Sequence, residues 1–154
     1  MGLVPGHTST IRRIEGGMLS YQADMDYTVN PFELGLGRLV DLEMDADFIG
    51  KEALKKIKSE GIKRHQVGIE ISCTPLKHPN TSYWPIMVGS EEVGYITSAV
   101  YSPRLDKNIA LAMMDVNHSA IDTRAETTTP EGNFPIKVVQ KPFYDPKKKI
   151  TSGS

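Results

Sequence analysis

A chain of 154 residues with 39% hydrophobic and 24% charged residues fits one globular domain, long enough to bury a core without metal or disulfide staples. Its 18 basic and 19 acidic residues leave a net charge of −1, which gives no electrostatic argument for nucleic acid or an anionic membrane as partner. The lone cysteine, Cys73, cannot close an internal bridge, no run approaches the ~18 apolar residues of a membrane span, and the N-terminus has no signal-peptide pattern, so the cytoplasm is the expected compartment.

The opening "MGLVPGHTST" reads as a loop entering something already under way. "STIRRI" reads as a short helix with Ser9 or Thr10 as N-cap, Ile11 and Ile14 on one face and Gly16 as the left-handed stop. Glu15 then falls in the last turn, where the negative end of the helix dipole disfavours a carboxylate by about 0.3 to 1 kcal/mol. Two readings follow: Arg12, three residues back, offsets the cost, or the carboxylate is held for a ligand that carries hydrogen-bond donors. Further on, "NPFE" has Asn30 as a cap, Pro31 at the first helical position and Glu33 three residues later, a capping box whose helix Gly35 and Gly37 keep short. "DFIGKEALKKIKSEG" is the strongest helix in the sequence: Ala53, Leu54 and Ile57 share one face, Lys51, Lys55 and Lys58 another, Glu52 and Lys56 form a spaced pair, and Gly61 closes it.

From about residue 65 the period changes from helical to alternating, with turn residues at short intervals. Val67, Ile69 and Ile71 line one side of a strand. "WPIMV" and "VGYITSAVY" flank "GSEE" as a hairpin, "NIALAMMDV" is a buried strand, and "AETTT" and "FPIKVVQ" flank "PEGN" as a second hairpin. Many short, locally connected strands predict a small barrel or sandwich. The fold class is therefore α+β, a short helical N-terminal segment followed by a small antiparallel β unit, with the break near residues 61 to 65.

Other motifs point to structure more than chemistry. His7, His65, His78 and His118 are scattered and lack zinc spacing with Cys73. Cys73 has no pattern of an activated nucleophile and reads as a small, semi-buried thiol. "GLG" at residues 35 to 37 lacks the third glycine and the preceding parallel strand of a phosphate-binding fingerprint. Tyr83 and Trp84 could stack on a planar ligand, yet aromatic residues opening a strand more often fill a barrel interior. Lys147 to Lys149 read as a solvated tail.

In order, "RIEGGMLSYQADMD", "NPFELGLGRLV", "DFIGKEAL", "EVGYITSAVYSPRLDKNIALAMM" and "KPFYDP" resemble the C-terminal half of the glycine-cleavage T-protein family of folate-dependent one-carbon transferases. "EGGMLSYQ" and the ending "PFYDPKK" look closer to its dimethylsulfoniopropionate demethylase branch than to the aminomethyltransferases. The resemblance implies that Glu15 hydrogen-bonds the pterin ring of tetrahydrofolate and that Tyr21 lines the same region. A carboxylate suits that task because it accepts both parallel N–H donors of the amino-pyrimidinone edge. It further implies residues 1–62 as the end of the folate-binding region with its connecting helix, 63–146 as the C-terminal β-barrel, and 147–154 as a flexible tail.

Two departures stand out: "HTST" replaces the family's "GARD", and an arginine placed shortly before "F-[IV]-G" has no counterpart among Asp41 to Asp47. The family's catalytic half would precede this segment, so the expectation is a parent methyltransferase and a lone chain without turnover. The implied partners are a small-molecule one-carbon donor, the parent's N-terminal half and, in the aminomethyltransferase alternative, a lipoylated carrier protein. A non-catalytic interaction module is the rival of another class.

Overall fold

The computed structural model describes residues 9–147 and Lys149. The opening loop, His7 and most of the expected tail lie outside the described residues.

Six strands form where the alternation begins: β1 (Arg64–Ile71), β2 (Trp84–Val88), β3 (Glu91–Ser102), β4 (Lys107–Asp115), β5 (Arg124–Thr129) and β6 (Gly132–Val139). They close into an antiparallel barrel in the order β1-β4-β3-β2-β5-β6, with β6 pairing back onto β1 through Gly68 to Ile71. Closure removes the open sheet edges that a sandwich would leave. Val67, Ile69 and Ile71 point inward as the alternation predicts, joining Ile86, Ile96, Ala112 and Met114 in the main core. The uninterrupted apolar run of β4 reflects burial on both faces. Ala110, Ala112 and Met114 fill the barrel, while Ile109 and Leu111 turn outward to pack with Val100 and Ile14. Each fully buried aliphatic side chain of this kind contributes about 1.5 to 3 kcal/mol.

Both hairpin turns are tighter than the sequence suggested, because Glu91 and Glu92 belong to β3 and Gly132 and Asn133 to β6. Gly89, at φ +62, supplies the left-handed residue of the first turn. The β2–β3 register shifts between Ile86 and Met87, and next to this bulge Gly94 pairs with Met114 of β4. A Cβ on Gly94 would lie 2.3 Å from the carbonyl oxygen of Met113, so only glycine fits there. The adjacent aromatics divide: Trp84 is buried, whereas Tyr83 is exposed and stacks on Tyr95 with ring centroids 5.1 Å apart.

Among the described residues before the barrel are two α-helices, α1 (Thr10–Glu15) and α2 (Lys51–Glu60). Ser9 caps α1, its hydroxyl accepting from the Arg12 N–H at 3.4 Å. The left-handed stop falls one residue later than expected: Gly16 stays right-handed at φ −80 and Gly17 takes φ +64. Gly17 N–H then donates to Ile14 and Met18 N–H to Arg13, the paired bonds of a Schellman ending. Ile14 is fully buried against β3 and β4, which fixes α1 on the barrel.

"NPFE" makes both bonds of a capping box, Asn30 N–H to Glu33 Oε2 at 3.0 Å and Glu33 N–H to Asn30 Oδ1 at 3.1 Å. It closes a turn, not a helix, because Gly35 leaves the helical region at φ +71; a single 3-10 turn follows at Gly37–Leu39. In α2 the expected Glu52–Lys56 pair is replaced by Glu52 with Lys55 at 2.9 Å and Lys56 with Glu60 at 3.8 Å. Helix neighbours at both spacings are within reach, so surface lysines exchange partners at little cost. No residue of α2 is buried.

Candidate functional site

Burying Ile14 rotates its neighbour toward the barrel, and Glu15 is only 4% exposed. Its Oε1 accepts from the Ser102 hydroxyl at 2.5 Å, and its Oε2 lies 4.0 Å from an Nη of Arg104. Its backbone carbonyl accepts the N–H groups of Phe143 and Tyr144 at 2.9 and 3.1 Å. The cation facing Glu15 is thus Arg104, from the β3–β4 turn, and not the Arg12 that helical spacing suggested, because the Glu15 side chain turns into the barrel junction. Arg104 is half-exposed and its guanidinium lies 4.2 Å from the Tyr144 ring centre. The carboxylate therefore has one firm donor and one distant, movable cation.

Tyr21 stands apart. It is 61% exposed and shares no hydrogen bond with Glu15 among the described residues. The same segment holds a constellation that sequence reading missed. Asp24, its side chain fully buried, accepts from Arg13 at 2.6 Å, the Ser20 N–H at 2.9 Å, Thr97 at 2.7 Å and Ser98 at 2.6 Å. Arg13 also donates to Ser98 at 2.8 Å. These bonds saturate the carboxylate and pin residues 13–24 to β3, the pattern of a positioning cluster. Sequence spacing does not bring the cluster together, since two of its four donors, Thr97 and Ser98, are 73 and 74 residues from Asp24. A second, part-buried pair, Glu33 with Arg64 at 2.9 Å, fastens the "NPFE" turn to the start of β1.

Directly after Glu15, Gly16, Gly17 and Met18 form one wall of a cleft of about 570 Å³; Lys141 and Pro142 form another, and Arg38 reaches its rim. Burial pushes the Lys141 ammonium down to about 8, with the Asp24 charge opposing the shift. Burial and the nearby Lys141 both push His65 below its ordinary value. Burial raises the Cys73 thiol, which keeps it protonated and poorly nucleophilic. Gln66 is fully buried and neither its amide nitrogen nor its oxygen has a partner among the described residues. No three His, Cys, Asp or Glu side chains come together to hold a metal among the described residues, and no described helix is long and apolar enough to cross a membrane.

Residues 64–145 match the family described as the glycine cleavage T-protein C-terminal barrel domain. The chain is 40% identical over 146 residues to an aminomethyltransferase of Symbiobacterium thermophilum, covering 93% of this chain and 38% of the relative. It is 39% identical over 136 residues to an aminomethyltransferase of Bacillus cytotoxicus, covering 88% of this chain and 36% of the relative. In fold it is similar to the crystal structure of a glycine cleavage system aminomethyltransferase T from Bartonella henselae, with a TM-score of 0.79, 21% identity, and coverage of 88% of this chain and 38% of that one. The chain thus spans 36% to 38% of the length of these two sequence relatives.

Proposed function

This chain belongs to the glycine-cleavage T-protein family, and from that premise we propose that it forms the C-terminal part of a tetrahydrofolate-dependent aminomethyltransferase. The observation that carries the proposal is the 40% identity over 146 residues to a protein of that name. The same relatives favour aminomethyl transfer over the demethylase branch that "EGGMLSYQ" and "PFYDPKK" suggested.

In this reading Glu15 receives the pterin of tetrahydrofolate and Tyr21 lines the approach. The donor set fits: a carboxylate offers two oxygens in one plane, and here only Ser102 holds one of them firmly. For a pterin edge to reach the other, Arg104 has to swing off Tyr144, which its half-exposed position permits. Tetrahydrofolate, when bound, supplies the amine nitrogen that takes up the one-carbon unit. The chain's own residues orient it, and orientation of reacting groups is worth several kcal/mol of barrier, up to about 7 to 11 in favourable cases. The Asp24 cluster serves this indirectly by fixing the segment that carries Glu15 and Tyr21. The rest of the site, including the pocket for the one-carbon donor, would come from a partner region of the kind that makes up the remaining length of the relatives.

The test supplies this chain with the N-terminal region of an aminomethyltransferase relative, fused or in trans, and offers two donors. Release of ammonia from an aminomethyl-lipoyl carrier protein, dependent on tetrahydrofolate and on this chain, supports the reading. Turnover of dimethylsulfoniopropionate instead of the lipoyl donor would overturn it in favour of demethylation. Stable association without turnover of either donor would point to a non-catalytic module.

A further inference from the structure

The end of the barrel where β1 and β5 finish and β2 and β6 begin carries a pocket of about 150 Å³ that shares no residue with the cleft beside Glu15. Its apolar wall is Trp84, buried in the main core, together with Leu76 and Pro130. Two segments hold it in shape. The connection from β1 to β2 is stitched down by Asn108, whose Oδ1 accepts the Leu76 N–H at 2.9 Å and whose Nδ2 donates to the carbonyls of Cys73 and Thr74 at 2.9 and 3.1 Å. In the β5–β6 turn, the Thr129 hydroxyl donates to the Gly132 carbonyl at 3.0 Å and accepts the Glu131 N–H at 3.1 Å. The pocket is therefore preformed, at a barrel mouth, one of the places where ligand sites concentrate.

The rim of this pocket carries both signs of charge. Lys77 and His78 come from the β1–β2 connection and Glu131 from the β5–β6 turn. All three are exposed, and none makes a side-chain hydrogen bond or ion pair among the described residues. From this arrangement we propose that the pocket binds a free α-amino acid with an apolar side chain. The side chain enters against Trp84, Lys77 pairs with the α-carboxylate with His78 as a second donor, and Glu131 pairs with the α-ammonium. A volume of about 150 Å³ lies below the ~300 Å³ at which sites for drug-sized ligands begin, and it suits a single aliphatic side chain. A ligand bearing one charge leaves one end of the rim without a partner, whereas a zwitterion answers both. The apolar contact supplies most of the affinity and the exposed charges set the orientation. The site is independent of the proposed function, since neither Glu15 nor a pterin enters it.

Trp84 is the only tryptophan of the chain, so its fluorescence reports on this pocket directly. The test titrates the chain with L-leucine, glycine, N-acetyl-L-leucine and L-leucinamide, with calorimetry of the same mixtures as a second readout. Leucine is expected to shift the Trp84 emission saturably, and glycine, which brings no side chain, to bind at least about tenfold more weakly. N-acetyl-leucine lacks the ammonium and leucinamide the carboxylate; each is expected to bind about threefold to fivefold more weakly, the worth of an exposed charge pair. Two variants at exposed positions assign the ends. Glu131→Gln weakens leucine and leucinamide by that factor and leaves N-acetyl-leucine unchanged, whereas Lys77→Gln weakens leucine and N-acetyl-leucine and leaves leucinamide unchanged. Glycine equal to leucine, no binding of leucine in either readout, or variants that weaken every ligand alike would each overturn the site. N-acetyl-leucine as tight as leucine would overturn it too, in favour of the C-terminus of a peptide.

Discussion

Arg13 and Asp24 form a 2.6 Å ion pair on the outside of the barrel, with the carboxylate side chain wholly buried and the guanidinium side chain 15% exposed. The pair fastens the end of α1 to the loop eleven residues on, and through Ser98 and Thr97 it fastens both to β3. The segment with the proposed ligand contacts is therefore held by a polar clamp as well as by the packing of Ile14 on Val100, Ile109 and Leu111.

Removing one member of such a clamp leaves the others buried without partners. Asp24→Ala is expected to destabilise the chain by about 3 to 5 kcal/mol, the usual cost of breaking a buried pair from one side. Arg13→Ala should cost less, because Asp24 keeps three neutral donors. Urea denaturation of the two variants checks the order; equal and small losses would show that the clamp is not what fixes the segment.

How much of this was legible beforehand follows from interaction range. Period-2 alternation at Val67, Ile69 and Ile71 and the apolar run of β4 are local signals, and barrel strands could be read from them. The Ser9 cap and the Asn30–Glu33 capping box are equally local and formed as spaced. The Asp24 cluster, the Ser102 partner of Glu15 and the split of Tyr83 from Trp84 depend on which strands become neighbours. No window of sequence contains Glu15 together with Ser102, 87 residues away. Arg12 was the best local guess for the partner of Glu15, and tertiary packing replaced it with Arg104.

The contact of Glu15 with Ser102 and its proposed ligand role can be separated by substitution. Glu15→Gln preserves shape but leaves a neutral acceptor for the Ser102 hydroxyl, and a hydrogen bond to a charged group is worth about 1.5 to 3 kcal/mol. Ser102→Ala removes the same bond while keeping the carboxylate. If Glu15 receives the pterin, tetrahydrofolate affinity measured by fluorescence titration drops about tenfold or more in Glu15→Gln and far less in Ser102→Ala. Parallel losses in both variants would reduce Glu15 to a strut between α1 and the β3–β4 turn.

Gly94 lies directly opposite Met114 of β4, and its added Cβ would meet the β4 backbone. Its added Cβ would also lie 2.8 Å from the Cα of Met114, a contact with backbone that no rotamer change relieves. Gly94→Ala is expected to cost more than about 3 kcal/mol or to prevent folding. Gly89→Asn, in a turn where nothing lies within 4 Å of the new Cβ, should cost well under about 1 kcal/mol, since asparagine tolerates the left-handed region. Thermal melts of both variants followed by circular dichroism give the comparison, and a stable Gly94→Ala barrel would mean that the bulge can relax.

Lys141 makes stability depend on alkaline pH with a definite sign. The unfolded chain binds its proton up to the ordinary value of 10.5, whereas the folded chain releases it near 8. Below about pH 8 both states are charged and the desolvation penalty weighs fully on the folded one; between there and 10.5 the unfolded state holds more protons, so stability rises with pH. Lys141→Met removes the buried charge and is expected to stabilise the chain near neutral pH by roughly 1 to 3 kcal/mol, and to abolish the alkaline rise. It also removes one of the two causes that lower His65, so the His65 ring should titrate at higher pH in the variant, as read from its proton resonances. A wild-type chain that loses stability steadily above pH 8, with an unmoved His65 in Lys141→Met, would place the ammonium in solvent and away from the cleft.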